Sequence, residues 1–309
     1  MKKIMVTGAN GFIGSFLLKE LSEKGVEIIA VIKDRQEKIE HIQNLPRVRI
    51  VYCDQANITQ LPDVVMDRDI DLCIHLAWGG SFGPARADYA LQLSNVQQSV
   101  DTVKALSCIG VKRFVGIGTL AEMDVLNYHG ADDARPNPVS DYGIAKLTAH
   151  FMTKAECAKL GMEHIWCRLS NTYGVGNTTG NFVNMAARLM LGGKRASFTA
   201  ATQTYDFVYV TDTVRAIACA SVHGKPFNCY YLGSGTARPL KEYIAIIRDA
   251  VDSSIELYLG EVPFQGNPLP AESYSTQKLF DDTNFIPEIR FEDGIRKTVE
   301  WLRKTEFQA

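Results

Sequence analysis

The sequence predicts an α/β fold, a doubly wound parallel sheet covered by helices on both faces, followed by a smaller C-terminal unit. Three observations predict it. Short continuous apolar runs alternate with longer stretches of helical spacing through the first half of the chain, the pattern of buried parallel strands joined by helices. The first of these runs turns through three glycines, Gly8, Gly11 and Gly14, directly into a helical pattern. The alternation then changes near Asn171, where Gly, Asn and Thr replace the apolar runs.

Taken in order, Ile4–Val6 is the first strand, and Ile13, Leu17 and Leu21 recur at four-residue spacing on one helix face. Gly25 is the C-terminal stop of that helix. Further strands are predicted at Glu27–Ile32, Val48–Tyr52, Leu72–Leu76, Phe114–Ile117 and Ile165–Leu169. Helical spacing marks Asn95–Cys108 and Tyr142–Leu160, the second opened by Pro138-Val139-Ser140-Asp141. Beyond it, Asn171–Gly180 reads as a loop, Asn181–Leu191 as a helix, Asp206–Val210 as a strand and Asp212–Val222 as a helix. Leu240–Ser253 and Phe291–Lys304 read as helices on either side of a proline-rich loop at Pro263–Pro270. The predicted organisation is a dinucleotide-binding domain over residues 1–170, with 206–232 returning to its sheet, and a smaller mixed unit over 171–309.

Composition narrows the function classes. With 46% hydrophobic residues, 22% charged residues and a net charge of −2, there is no basic excess to attract nucleic acid and no acidic tail. Apolar runs stop at strand length, well short of the ~20 residues of a membrane helix. The start, Met1-Lys2-Lys3-Ile4-Met5-Val6, is interrupted at once by Thr7, Gly8 and Asn10, unlike a signal peptide, so a cytoplasmic location is expected. Seven cysteines lie scattered in apolar segments without a CxxC pair, as buried reduced thiols do. The six histidines are dispersed as well, so no metal site is expected, and His75 in its apolar run reads as a hydrogen-bonded core residue.

Chemistry concentrates at three places. A strand that turns through glycines into a helix N-terminus binds phosphate, because the backbone approaches the ligand closely and free N–H groups meet its charge. After the second strand, Ile32 stands where an acid would bind the ribose 2′-hydroxyl of NAD; Lys33 and Arg35 flank it and favour the 2′-phosphate of NADP, while Asp34 leaves NAD open. Asp54 ends the third strand, where it can accept from an adenine amino group or cap a helix. Finally, Tyr142 and Lys146 stand four apart on one helix face, and an ammonium beside a phenol lowers a pKa of ~10. Thr119, at the end of the Phe114–Ile117 strand, brings a hydroxyl to the same sheet edge.

The run Thr7-Gly8-Ala9-Asn10-Gly11-Phe12-Ile13-Gly14, then Asp54, His75-Leu76-Ala77, Asn95, Thr119 and Tyr142-Gly143-Ile144-Ala145-Lys146, resembles the extended short-chain dehydrogenase/reductase superfamily. Within it the chain is most similar to the branch of nucleotide-sugar epimerases, dehydratases and reductases, with a Rossmann-type first domain. The resemblance implies Tyr142 as catalytic acid/base, Lys146 as the residue that tunes it and binds the nicotinamide ribose, and Thr119 in the family's Ser/Thr role. It implies NAD or NADP held by Gly8, Asn10, Gly11, Phe12, Ile13, Gly14, Lys33, Arg35, Asp54, Gln55, Leu76 and Ala77 together with Tyr142 and Lys146. It also implies a nucleotide sugar contacted by Trp78, Asn171, Asn181, Phe182, Arg188 and Tyr205, and a homodimer formed through the Asn95 and Tyr142 helices.

Departures from the family pattern bear on the reaction. Dehydratases of the branch follow the catalytic threonine with an Asp-Glu pair; here Leu120-Ala121 follows, which argues against a 4,6-dehydratase, and Glu122 is either a pocket residue or a cap. Tyr205 stands where an arginine grips the diphosphate, and a second arginine is missing near Gly266-Asn267, leaving Arg188, Lys194 or Arg195 as substitutes. The leading expectation is therefore an epimerase or keto-reductase of a nucleotide-diphosphate sugar. The alternatives are a reductase of a small non-nucleotide carbonyl compound and a non-catalytic dinucleotide-binding regulator.

Overall fold

A computed structural model of the chain describes residues 2–129 and 140–307. Six strands, β1 (Lys3–Thr7), β2 (Glu27–Ile32), β3 (Val48–Tyr52), β4 (Leu72–His75), β5 (Arg113–Thr119) and β6 (Glu163–Leu169), form one parallel sheet with a seventh, Cys229–Leu232. The order across the sheet is Cys229–Leu232, β6, β5, β4, β1, β2, β3. The chain therefore winds one way from β1 to β3 and the other way from β4 onward. The crevice between β1 and β4 lies where ligands bind in open α/β sheets.

Both faces are covered. On one, Leu17, Leu18 and Leu21 of the helix Phe12–Glu23 pack with Val214, Ile217 and Ala220 of the helix Val210–His223. On the other, Val96, Val103 and Leu106 of the helix Tyr89–Cys108 pack with Ala145, Ala149 and Cys157 of the helix Ser140–Lys159. Strands buried on both sides explain why their sequences are continuously apolar. A third core joins Val183, Ala186 and Met190 to Tyr243, Ile244 and Ile247 and to Phe291, Ile295 and Val299, the inner faces of the helices Phe182–Leu191, Leu240–Val251 and Phe291–Leu302.

The differences from expectation are local. Asn171–Gly180 is not all loop: Asn171–Tyr173 is a strand running parallel to Phe207–Tyr209, and Tyr173 is buried. Asn171 Nδ2 donates to the Asp206 carbonyl at 3.0 Å, a partner 35 residues away that local spacing does not reveal. The helix before Cys108 begins at Tyr89 rather than Asn95, because the Asp88 carboxylate accepts from Leu91 N at 3.1 Å and caps it. A helix at Ala121–Tyr128 follows β5 directly, and the helix expected from Asp212 begins at Val210. Pro138 and Val139, read as a helix opening, lie outside the described residues. His75 is buried, its ring bonded to Thr7 Oγ1 at 2.8 Å and Ser99 Oγ at 3.2 Å. Among the described residues no helix is long and apolar enough to cross a membrane.

Candidate active site

The C-terminal ends of the parallel strands share one edge, and register alone brings Thr7, His75 and Gly116 into line there, with Thr119 three residues beyond beside Leu169. The glycine turn occupies the crevice. Gly8 has φ +65°, and a Cβ there would lie 2.7 Å from the Ala77 amide nitrogen; one on Gly14 would lie 2.3 Å from the Gly8 carbonyl oxygen. Two of the three glycines are thus required by the protein's own packing. Gly11 is different, since its Cβ would meet only the Gly8 carbonyl, at 3.3 Å. Gly11 is also the N-cap of the helix Phe12–Glu23, which has neither a side-chain cap nor an acid in its first turn. Its first N–H groups and positive end are left for an anion, so the cradle fits the pyrophosphate of a dinucleotide.

Around this cradle the predicted residues divide. Ala77 supplies the backbone against which Gly8 packs, and its N–H donates to Thr7 Oγ1 at 3.3 Å. Phe12 packs edge-on against Phe16, while Ile13 and Leu76 pack on the core, so these three act through packing. Asn10 Nδ2 donates to Glu37 at 3.0 Å. Asp54 accepts from Ala56 N at 3.0 Å, capping the turn Gln55–Gln60, and Gln55 accepts from Thr102 Oγ1 at 3.4 Å. Lys33 and Arg35 are exposed, the Arg35 guanidinium 4.7 Å above the Tyr52 ring.

A cavity of about 1010 Å³ opens beside the end of β5, lined by Thr119, Tyr142, Asn171 and Tyr205 among the expected residues. Lys146 lies behind Tyr142, 5% exposed, donating to the Ile117 carbonyl at 2.8 Å with its Nζ 3.8 Å from the Trp78 ring centre. Trp78 also meets the Tyr142 ring edge-on at 6.3 Å. Burial pushes the Lys146 ammonium down to about 7, against a smaller opposing effect of the Glu122 carboxylate. The Tyr142 phenol is raised above its ordinary value, again chiefly by burial; Arg86 and a hydrogen bond with Thr119 act in the lowering direction, and Glu122 raises it further. The expected depression of Tyr142 by Lys146 is therefore corrected. Desolvation dominates, and among the described residues the cation that acts on the phenol is Arg86.

The substrate-side expectations also divide. Arg188 is held by Glu306 at 2.7 Å and Arg195 is paired with Glu261, so neither replaces the missing diphosphate arginines in the cavity wall. Asn181 caps its helix by accepting from Asn184 N at 2.9 Å, and Phe182 stacks on Phe207, 6.0 Å between ring centres. Both lie outside the cavity lining.

Residues 4–233 match the family model described as NAD dependent epimerase/dehydratase family. The chain belongs to this family. A dTDP-glucose 4,6-dehydratase from Streptomyces griseus is 23% identical over 97% of the chain and 94% of its own length. The structure of a UDP-glucose 4-epimerase from Thermotoga maritima with UDP-glucose superposes with a TM-score of 0.81 at 23% identity, covering 98% of this chain and 99% of that one. The Bordetella bronchiseptica enzyme WbmF in complex with NADH gives 0.80 at 21% identity, over 98% of this chain and 92% of its own. Dehydratases are thus among the relatives over nearly the whole chain, and the argument against dehydration drawn from Leu120-Ala121 gains no support from them.

Three residues of the site, Gln92, Arg86 and Asp124, were missed by sequence reasoning, and a fourth, Glu122, was left between two roles. Gln92, fully buried, accepts from Trp78 Nε1 at 3.0 Å and donates to the Gly80 and Ala85 carbonyls at 3.1 and 3.0 Å. Arg86, in the turn Gly83–Ala87 so anchored, lies with its guanidinium 4.6 Å from the Tyr142 ring centre and lines the cavity. Asp124 is the only carboxylate among the described lining residues, its pKa raised by burial. Glu122, 0% exposed, is a cap rather than a pocket residue. It accepts from Thr119 N at 2.8 Å, from Trp166 Nε1 at 3.1 Å and from Arg168 at 2.9 Å. The clustering of Gly79, Gly80 and Gly83 at a strand's C-terminal end is the signal that marked this turn.

Behind β5, His150 and His164 stack with Trp166, and burial holds both rings, like His75, at a pKa of about 3. The 3.8 Å approach of His150 Nδ1 to Glu122 is therefore not an ion pair at neutral pH. With folded values below the unfolded ~6.5, the unfolded chain binds more protons between the two, so stability is full above pH ~6.5 and falls as the solution is acidified. Each histidine contributes a slope of up to about 1.4 kcal/mol per pH unit in that window. Urea unfolding between pH 7 and 5 is expected to lose stability steeply, and His150→Phe to flatten the slope by about one proton's worth; an identical slope in the variant would contradict this assignment.

Proposed function

We propose that the chain is an NAD(P)-dependent enzyme interconverting a secondary alcohol and a ketone on a nucleotide-diphosphate sugar, as an epimerase or keto-reductase. The observation that carries the reading is that Thr119 and Tyr142 face one cavity at the same sheet edge as the glycine cradle. In this reading Gly8, Gly11 and the first turn of the helix Phe12–Glu23 hold the dinucleotide pyrophosphate, and Lys146 contacts the nicotinamide ribose. When bound, the dinucleotide supplies the hydride acceptor and donor. Thr119 Oγ1 holds the substrate oxygen, its position fixed because Glu122 grips its backbone N–H. Tyr142 takes or returns the hydroxyl proton, a step that general acid–base catalysis accelerates by about 10²–10⁴-fold.

The exposed cations Lys33 and Arg35 favour NADP(H) over NAD(H) in this reading. We also propose a homodimer through the adjacent helices Tyr89–Cys108 and Ser140–Lys159, on which Tyr89, Leu93 and Phe151 are 70%, 61% and 54% exposed. Light scattering should give twice the chain mass; one chain of 34.3 kDa would exclude the dimer.

The functional reading is tested by melting the protein with NAD(H), NADP(H) and UDP-, CDP-, GDP- and dTDP-sugars. Ligands of the native state must raise the midpoint. A sugar that raises it is then assayed for turnover with and without added dinucleotide, and Tyr142→Phe is expected to lose about 10²–10⁴-fold while keeping its dinucleotide shift. No shift with any nucleotide sugar would favour a smaller carbonyl substrate. Undiminished turnover by Tyr142→Phe would remove that residue from its role.

A further inference from the structure

We propose that Arg86 selects the substrate, and that the substrate is a nucleotide-linked uronic acid whose ring carboxylate seats on the Arg86 guanidinium. The proposal rests on the nucleotide-sugar reading given above and adds the chemical class of the sugar.

The first observation is where the cavity carries its positive charge. Tyr205 and Gly266-Asn267, the positions where arginines for a diphosphate are expected, line it with neutral groups. Arg188 and Arg195 are tied to Glu306 and Glu261 and stand outside the lining. Among the described lining residues Arg86 is the one arginine or lysine, and its guanidinium lies 4.6 Å from the Tyr142 ring centre. The cation thus stands beside the reacting groups. There it meets a substituent near the reacting carbon, whereas the diphosphate is carried on the anomeric carbon.

The second observation is that this guanidinium is held firmly and is not already spent. Asn95 brackets Gly79, accepting from its N–H at 2.9 Å and donating to its carbonyl at 2.8 Å. Gln92 holds the Gly80 and Ala85 carbonyls, and Arg86 follows Ala85 directly. Arg86 Nε is buried without a hydrogen-bond partner, and the terminal nitrogens donate to no described residue. Contact with the phenol ring leaves their N–H groups to a planar anion, and a carboxylate matches that fork in bidentate fashion. Asp124 faces the same cavity without pairing with Arg86 among the described residues, and it can accept from the sugar hydroxyls. Burial raises its pKa, against Arg86 and His129, so it tolerates a second carboxylate nearby better than an ordinary aspartate does. Lys146 lies behind Tyr142 and keeps its proposed place at the nicotinamide ribose.

The test measures the affinity of UDP-glucuronate, UDP-glucose and UDP by calorimetry, for the protein and for Arg86→Gln. The protein should bind UDP-glucuronate more tightly than UDP-glucose. Arg86→Gln should lose about 10–100-fold for UDP-glucuronate, the worth of a charge-assisted contact, and far less for the other two. Arg86→Lys, which keeps the charge without the fork, should recover only part of the loss, and it carries the comparison if Arg86→Gln fails to fold. An equal loss for all three ligands would mark a diphosphate contact or a structural role and overturns the proposal, as does a protein without preference for the uronate. If no UDP derivative binds, melting midpoints with free glucuronate and glucose make the same comparison. A rise confined to glucuronate and lost in Arg86→Gln then keeps the Arg86 assignment and rejects only the nucleotide reading; no such rise overturns the proposal.

Discussion

Burial of a phenol and an amine side by side, behind a tryptophan, is the constraint on which the rest of the site depends. Tyr142 and Lys146 sit one helical turn apart where water is largely excluded, and desolvation pushes each toward its neutral form. Trp78 closes the back of this pair, and Gln92 holds Trp78 and the Arg86 turn with the same amide. Packing, hydrogen bonding and charge are thus settled by one small set of contacts.

A cluster of polar contacts surrounds the fully buried Glu122 side chain. Glu122 has Arg168, the Trp166 indole and the Thr119 amide around it, whereas the neighbouring histidines remain neutral. Removing one partner of such a pair leaves an uncompensated charge, which costs about 3–5 kcal/mol, so the cluster holds the end of β5 firmly. Room for it comes from β5 itself. A Cβ on Gly118 would lie 2.2 Å from both the Glu122 carboxylate and the Trp166 indole nitrogen, so a side chain there would displace the cap on Thr119.

What could be read from the sequence follows from which forces are local. The central strands β1 and β4 are apolar runs because both their faces are covered, and the edge strand β3 is found at the predicted bounds Val48–Tyr52 with Arg49 exposed. Asn171–Tyr173 was hidden because three residues carry little periodicity and their partner strand is remote. The glycine turn was legible as a phosphate cradle, yet packing accounts for Gly8 and Gly14 and leaves Gly11 as the informative one. Arg188 reads as an available cation until folding brings Glu306 to it across 118 residues. The Tyr142 and Lys146 spacing was visible, but the sign of their mutual effect depends on burial, a tertiary property. Arg86 was invisible for the same reason, since only the folded turn sets it over the phenol.

The account stands on burial moving the Lys146 ammonium well below its ordinary value. Titration of Lys146 in ligand-free protein by NMR of ¹³Cε-labelled lysine, assigned with Lys146→Met, measures this directly. The predicted midpoint is about 7, far below the ordinary 10.5. A midpoint at or above 10.5 would show an ammonium untouched by burial and would contradict the account.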